Sequence, residues 1–262
     1  HSSENRKAPW REDFAMNQHI LEAKNLSIRF GGLRAVDDVS FKAVRNKITT
    51  IIGPNGAGKS TLFNLISGLL RPNSGTVYVD GEKFRNVGPD TMQKAGLARS
   101  FQITNLFFEL PVAENIRLAA QILEPKSRWA MPIRASVIAA KRVQELLERF
   151  DLKSKAEYLV GALSHGEQRR LEIAVALACK PKILLLDEPT QGMSHGDTED
   201  TANLIKSLSE DVTILLIEHD IGLVMKISDY VLVMHQGQKL AEGTPEEVRA
   251  NAAVQAAYFG HA

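Results

Sequence analysis

One cysteine, Cys179, stands in a chain of 262 residues. A single thiol excludes an internal disulfide framework and a cysteine-based zinc site, and it fits a reducing compartment. Charge of one sign is missing as well: 32 Lys and Arg face 31 Asp and Glu, for a formal net charge of +1. No broad basic field therefore draws the chain to nucleic acid or anionic lipid. Long apolar runs are also lacking. Stretches such as Ile183–Leu186 and Ile214–Ile217 fall far short of the roughly 20 apolar residues that a membrane span requires. No fixed repeat and no sustained heptad pattern occur. Residues 1–15 hold no apolar segment of a secretory signal. They are expected to be a loose, disordered or tag-derived leader, with Met16 as the natural start.

What remains is an ordinary globular composition. Hydrophobic residues make up 44% and charged residues 24%, enough to bury a sizeable core and to exclude global disorder. The early chain reads as strands over Leu21–Phe30 and Val36–Val44, separated by a Gly31–Gly32 turn. Ile48–Ile52 is a β-branched run of the kind found in buried strands. A glycine-rich loop follows, then an apolar-periodic helix over Leu62–Leu70, a Pro72–Asn73 break and a strand over Gly75–Val79. From about Pro111 to Cys179 the pattern is helical. Val137, Ala140, Val143, Leu147 and Phe150 share one stripe, as do Leu171, Ala174, Val175 and Ala178. Strands return at Lys182–Leu186, Val212–Ile217 and Tyr230–Met234, with helical stretches between them, which predicts a parallel α/β sheet. The tail reads as a short strand, Gln238–Glu242, and a helix capped at Thr244–Pro245. The expected organisation is a split α/β core, 16–102 and 180–262, interrupted by a helical segment at 103–179.

Gly53-Pro-Asn-Gly-Ala-Gly-Lys59-Ser60 matches GxxxxGK[ST] in full. Glycines let the backbone approach phosphates closely, and successive N–H groups at a helix start form an anion nest. Lys59 supplies a point charge for the β- and γ-phosphates, and the Ser60 hydroxyl is a hard oxygen ligand suited to Mg²⁺. Gly53, Asn55, Gly56, Gly58, Lys59, Ser60 and the adjoining Thr61 are the candidate nucleotide contacts. A second element completes the chemistry. The apolar strand Ile183–Leu186 ends in Asp187 and Glu188, at the carboxyl edge where α/β sheets bind ligands. Asp187 is placed to hold Mg²⁺ and Glu188 to orient or deprotonate the attacking water.

These residues, with Leu163-Ser-His-Gly-Glu-Gln168, resemble the ATP-binding cassette (ABC) ATPases. The resemblance spans about residues 20–260. It implies a RecA-like P-loop NTPase core, an antiparallel β subdomain and an inserted α-helical subdomain. It makes Leu163–Glu167 the counterpart of the family's signature motif, Gln102 its loop glutamine, a further metal ligand and catalytic group, and His219 its γ-phosphate-sensing histidine. Phe30 stands where the family stacks an aromatic on adenine. Ser164, Gly166 and Glu167 would then reach the ATP held by a second cassette, identical or different. Two nucleotides would be sandwiched head-to-tail, and each chain would supply half of each site. Three positions depart from the pattern: His165 replaces a glycine, Glu167 a glutamine, and Ser194 an aspartate. His165 either places a titratable ring near the phosphates or faces outward.

A narrower resemblance is to the larger ATPase of branched-chain amino acid importers. It rests on Ala98-Arg-Ser-Phe-Gln102 with Asn105-Leu-Phe, Val112-Ala-Glu-Asn115, the segment Leu163–Ile173, and the tail segments Glu242–Val248 and Ala257–Gly260. It implies transmembrane permease subunits as partners and, through them, a substrate-binding protein. The implied location is the cytoplasmic face of the bacterial inner membrane, bound peripherally. No nucleic-acid partner is implied. Urea, amide or lipopolysaccharide transport, and an ATP-dependent dimerisation switch, remain alternatives at this stage. Leu106, Phe107, Phe108 and Leu110, within Ile103–Pro111, are expected to help form the permease-docking surface. Cys179 is expected simply to pack against the helical segment.

Overall fold

The computed structural model describes residues 18–100, 106–124 and 136–259. Its early strands, β1 (His19–Phe30), β2 (Leu33–Val44), β4 (Ser74–Val79) and β5 (Glu82–Phe84), form an antiparallel sheet in the order β2-β1-β4-β5. Register breaks interrupt the β1–β2 and β1–β4 pairings, which is why the alternation along them is patchy in the sequence. The second sheet runs β10-β9-β3-β8-β7-β6. It contains β3 (Ile48–Ile52), β6 (Leu97–Ser100), β7 (Ile183–Asp187), β8 (Thr213–Ile217), β9 (Tyr230–His235) and β10 (Gln238–Gly243). All its pairings are parallel except β9–β10 at one edge. Every residue of β3, β7 and β8 is buried, as expected for central strands covered on both faces.

Side-chain alternation divides the core between those faces. Ile183, Leu185, Leu215 and Ile217 pack with the antiparallel sheet and with α1 (Lys59–Ile66). Leu184, Leu186, Ile214 and Leu216 pack on the other side with α3 (Val112–Ala120), α4 (Val137–Arg149), α5 (His165–Leu177) and α6 (His195–Leu208). A smaller cluster joins β3 and β9 to α7 (Ile221–Ile227), α8 (Pro245–Ala250) and α9 (Ala252–Phe259). Between β6 and β7 every described regular segment is helical, apart from one isolated Pro111–Leu159 bridge.

Boundaries shift for local reasons. α1 ends at Ile66, four residues short of the expected limit, because Ser67 caps it and Gly68 turns left-handed with φ 76°. The short strand β6 and the helix α2 (Pro89–Lys94) carry too few residues to show a period. α4 begins where Ser136 accepts the Ala139 N–H, a serine being among the preferred N-cap residues. No helix among the described residues is long and apolar enough to cross a membrane. The expectation of a loose leader over 1–15 lies outside the described residues.

Candidate functional site

β3, β8 and β7 lie side by side and parallel, so their carboxyl ends open onto one edge. From β3 the chain enters the loop Gly53–Gly58 and then α1. Gly58 holds φ 95°, and a Cβ there would collide with the Ala35 carbonyl oxygen of β2. At Gly53 a Cβ would meet the Met234 carbonyl oxygen of β9. Glycine at both places is thus demanded by close backbone approach as well as by conformation. Gly56, Asn55 and Ser60 are exposed, and Thr61 is half-buried. The first turn of α1 presents the amides that any helix start leaves without intrahelical partners. Buried Lys59 donates from Nζ to the Gly53 and Pro54 carbonyls at 2.7 and 3.1 Å. Burial lowers its pKa, and the Glu188 and Asp187 carboxylates oppose that shift. The ammonium and the two carboxylates therefore sense one another across the site.

Asp187 closes β7. Its Oδ2 accepts from Arg99 at 2.9 Å, and both side chains are only 10% exposed. Burial raises the Asp187 pKa, while Arg99 pulls it back. One oxygen of Asp187 is engaged by Arg99; the second remains a hard donor. Together with the exposed Ser60 hydroxyl it suits Mg²⁺ by chemical type. Among the described residues no cluster of three or more His, Cys, Asp or Glu could hold a metal alone. Such a pair of ligands needs further oxygens from elsewhere, as a nucleotide's phosphates would supply.

Glu188 follows with φ 49°. Its Oε1 is hydrogen-bonded to His219 Nε2, and its N–H donates to the Ile217 carbonyl at 3.0 Å. The structure thus brings Glu188 and His219 together, 31 residues apart in sequence. Behind them Glu218 is buried. It accepts from the Thr190 hydroxyl at 2.7 Å, the Thr190 amide at 3.2 Å and the His219 amide at 3.2 Å. Burial pushes its carboxyl upward against those bonds. Sequence reasoning missed Glu218, Arg99 and Arg169, since each owes its place to a partner distant in the chain.

Ser164 lies at the start of α5 and forms a capping box with Glu167. The Glu167 amide donates to Ser164 Oγ at 3.3 Å, and the Ser164 amide donates to Glu167 Oε2 at 2.9 Å. Lys155 donates to the other Glu167 oxygen and holds that carboxyl below its ordinary range. The acidic departure at 167 therefore serves the helix start. His165 is exposed. Ser194 takes the equivalent role at α6, accepting from the Asp197 amide and donating to its carboxylate at 2.6 Å. No hydrogen bond joins Ser164–Glu167 to Gly53–Ser60 among the described residues.

Phe30 is 49% exposed at the β1–β2 turn, so it is not a core residue. Gln102, and Ile103–Asn105 of the expected docking stretch, lie outside the described residues. Of the rest, Leu106 is buried, Leu110 is half-buried, and Phe107 and Phe108 are exposed. Cys179 is half-buried against the helical core, and burial raises its thiol pKa, as fits an inert packing residue.

An ABC transporter family model matches residues 36–191, and a model of branched-chain amino acid ATP-binding cassette transporters matches 238–262. The high-affinity branched-chain amino acid transport ATP-binding protein BraF of Pseudomonas aeruginosa is 40% identical over 94% of this chain and 100% of its own. A crystal structure of an ABC transporter's ATP-binding cassette in its ADP conformation superposes with TM-score 0.81. It is 32% identical, covering 93% of this chain and 99% of that one. A dimeric cassette in a post-hydrolysis state, bound to ADP and Pi, is 29% identical over 86% of this chain and 98% of its own, with TM-score 0.73.

Proposed function

The chain belongs to the ABC transporter family of ATP-binding cassettes, and on that footing we propose that it hydrolyses ATP to drive an importer of branched-chain amino acids. The observation that carries this reading is the meeting of a complete phosphate loop with Asp187, Glu188 and His219 at one sheet edge. The match of residues 238–262 to branched-chain cassettes favours that substrate class over urea, amides or lipopolysaccharide.

The roles follow from chemistry. Amides over Gly53–Thr61, Asn55 included, bind the triphosphate, and Lys59 supplies its cation. Phe30 offers an exposed ring for the adenine. Ser60, Asp187 and Gln102 would hold Mg²⁺, which when bound neutralises charge on the phosphates. Glu188 takes a proton from the attacking water, and His219, hydrogen-bonded to it, orients that carboxylate. Ser164 and Gly166 serve the nucleotide of a second cassette, and Glu167, placed with them by the family resemblance, acts by holding the helix start, since Ser164 and Lys155 engage both of its carboxylate oxygens. A relative that is dimeric and bound to ADP and Pi supports the pairing of two cassettes.

The α/β core is taken as 16–102 and 180–262, with the helical subdomain as 103–179. Phe107 and Phe108, exposed near the start of that subdomain, contact transmembrane permease subunits, and a substrate-binding protein acts through them. The chain sits peripherally on the cytoplasmic face of the inner membrane.

Glu188→Gln tests the centre of this reading. ATP binding should persist, while hydrolysis should fall by at least about a hundredfold. Unchanged turnover would remove Glu188 from the chemistry.

A further inference from the structure

Arg169 lies on α5, one turn beyond the cap at Ser164, and its side chain is only 10% exposed. Its Nε donates to the Pro189 carbonyl at 3.0 Å, and its Nη2 donates to the Asp187 and Glu188 carbonyls at 3.1 and 2.8 Å. Nη1 pairs with buried Glu172 at 2.6 Å. One guanidinium therefore collects three consecutive carbonyls from the segment that carries the acidic pair. Only a planar fork of fixed donors spans such a set; an ammonium is a single point.

The segment needs holding. Glu188 has φ 49°, an uncommon conformation for a side-chain-bearing residue, and it precedes Pro189, a neighbour that favours extended backbone. Thr190, just beyond, is fixed by buried Glu218. Arg169 and Glu218 thus grip the turn from its two ends. The Glu188 carboxylate is carried by the backbone atoms so held, and in this conformation it meets His219.

We propose that Arg169 is a positioning residue for hydrolysis: its grip on the carbonyls of Asp187, Glu188 and Pro189 fixes the left-handed turn that sets the Glu188 carboxylate beside His219. This rests on the assignment of Glu188 as the proton acceptor. The competing explanation is that Arg169 merely neutralises Glu172 and anchors α5.

Two variants separate these readings. Arg169→Lys keeps the charge opposite Glu172 but loses the fork. Arg169→Leu combined with Glu172→Leu removes both members of the ion pair, so that neither is left uncompensated by the loss of the other, and it also removes the grip. In ATP hydrolysis by the full chain, kcat should fall about 10- to 100-fold in each folded variant, with KM for ATP within about twofold. Equilibrium binding of a fluorescent ATP analogue should be retained. Combined with Glu188→Gln, Arg169→Lys should cause no further loss of residual turnover, because it acts through that carboxylate.

Near wild-type kcat in either folded variant overturns the proposal, as does a loss that multiplies with Glu188→Gln. Should Glu188→Gln alone hydrolyse ATP normally, the assignment of Glu188 fails, and the proposal that rests on it falls with it. Dead Glu188→Gln beside normal Arg169 variants sinks the positioning role alone.

Discussion

Glu218 places a carboxyl where solvent hardly reaches, 3% exposed, and surrounds it with three donors from Thr190 and His219. Desolvation outweighs those donors, so its folded-state pKa lies above the ordinary 4.5. The sign follows from proton linkage. A raised folded pKa means that the native chain binds the proton more tightly than the unfolded chain. The stability so gained is complete below the unfolded value and is lost as pH rises through the folded one. Glu218→Gln cannot titrate, so it lacks this dependence whatever its constant offset. The melting temperature of the wild type minus that of Glu218→Gln should therefore fall as pH rises from about 4.5 towards neutrality. A difference that stays flat or grows would show that Glu218 is not protonated more readily in the fold. The same residue shows why part of the site is hidden in the sequence. Glu218 beside His219 reads there as a strand-end polar pair. Only the fold brings Thr190, 28 positions away, against its carboxylate.

Elements carry the phosphate loop more rigidly than its glycines alone suggest. Gly58 sits against the Ala35 carbonyl and Gly53 against the Met234 carbonyl, so β2 and β9 wall the loop on two sides. Gly58→Ala must accommodate both a positive φ and a collision with backbone. It should cost about 2 kcal/mol in chemical denaturation and weaken equilibrium ATP binding, since the amides that follow would shift. Undiminished stability and affinity would mean that β2 does not constrain the loop. At this scale the sequence was most legible where burial is uniform or an apolar stripe is sustained. Ile48–Ile52 is buried throughout and carries a continuous β-branched run, and the apolar stripe that opens at Val137 starts where α4 does. It was least legible at β6. Leu97-Ala-Arg-Ser100 contains an arginine, and nothing local announces that Asp187 waits opposite to pair with it. For the same reason Glu188 and His219 were recognisable as candidates, whereas the Arg169 grip was not. Motif spacing reports side chains along the chain, and the carbonyl directions that Arg169 reads arise only once Glu188 adopts its left-handed turn.

Across the whole molecule, two helix starts, one at the phosphate loop and one at Ser164, are joined by no hydrogen bond among the described residues, and both are proposed to take phosphate. α1 begins at its own loop, while α5 begins at Ser164, whose hydroxyl and amide are hydrogen-bonded only to Glu167 among the described residues. A single chain therefore leaves its signature segment without a nucleotide, and a second chain turned head-to-tail would supply one to each. The formal charge of +1 puts little electrostatic self-repulsion in the way of that pairing. Bound ATP would lie between the chains and become part of the interface, so association should depend on the nucleotide and on the failure to hydrolyse it. In sedimentation velocity, Glu188→Gln should run as a monomer without nucleotide and as a dimer with saturating ATP. Glu188→Gln combined with Lys59→Ala should stay monomeric at the same ATP concentration, because the cation for the β- and γ-phosphates is gone. Adding Ser164→Arg to Glu188→Gln should block dimerisation while leaving equilibrium ATP binding by the separate chain intact, since among the described residues no hydrogen bond joins Ser164 to its own phosphate loop. A dimer that forms without nucleotide, or one that tolerates the bulky cation at 164, would contradict the head-to-tail arrangement and with it the assignment of Ser164 and Gly166 to the neighbouring chain's site.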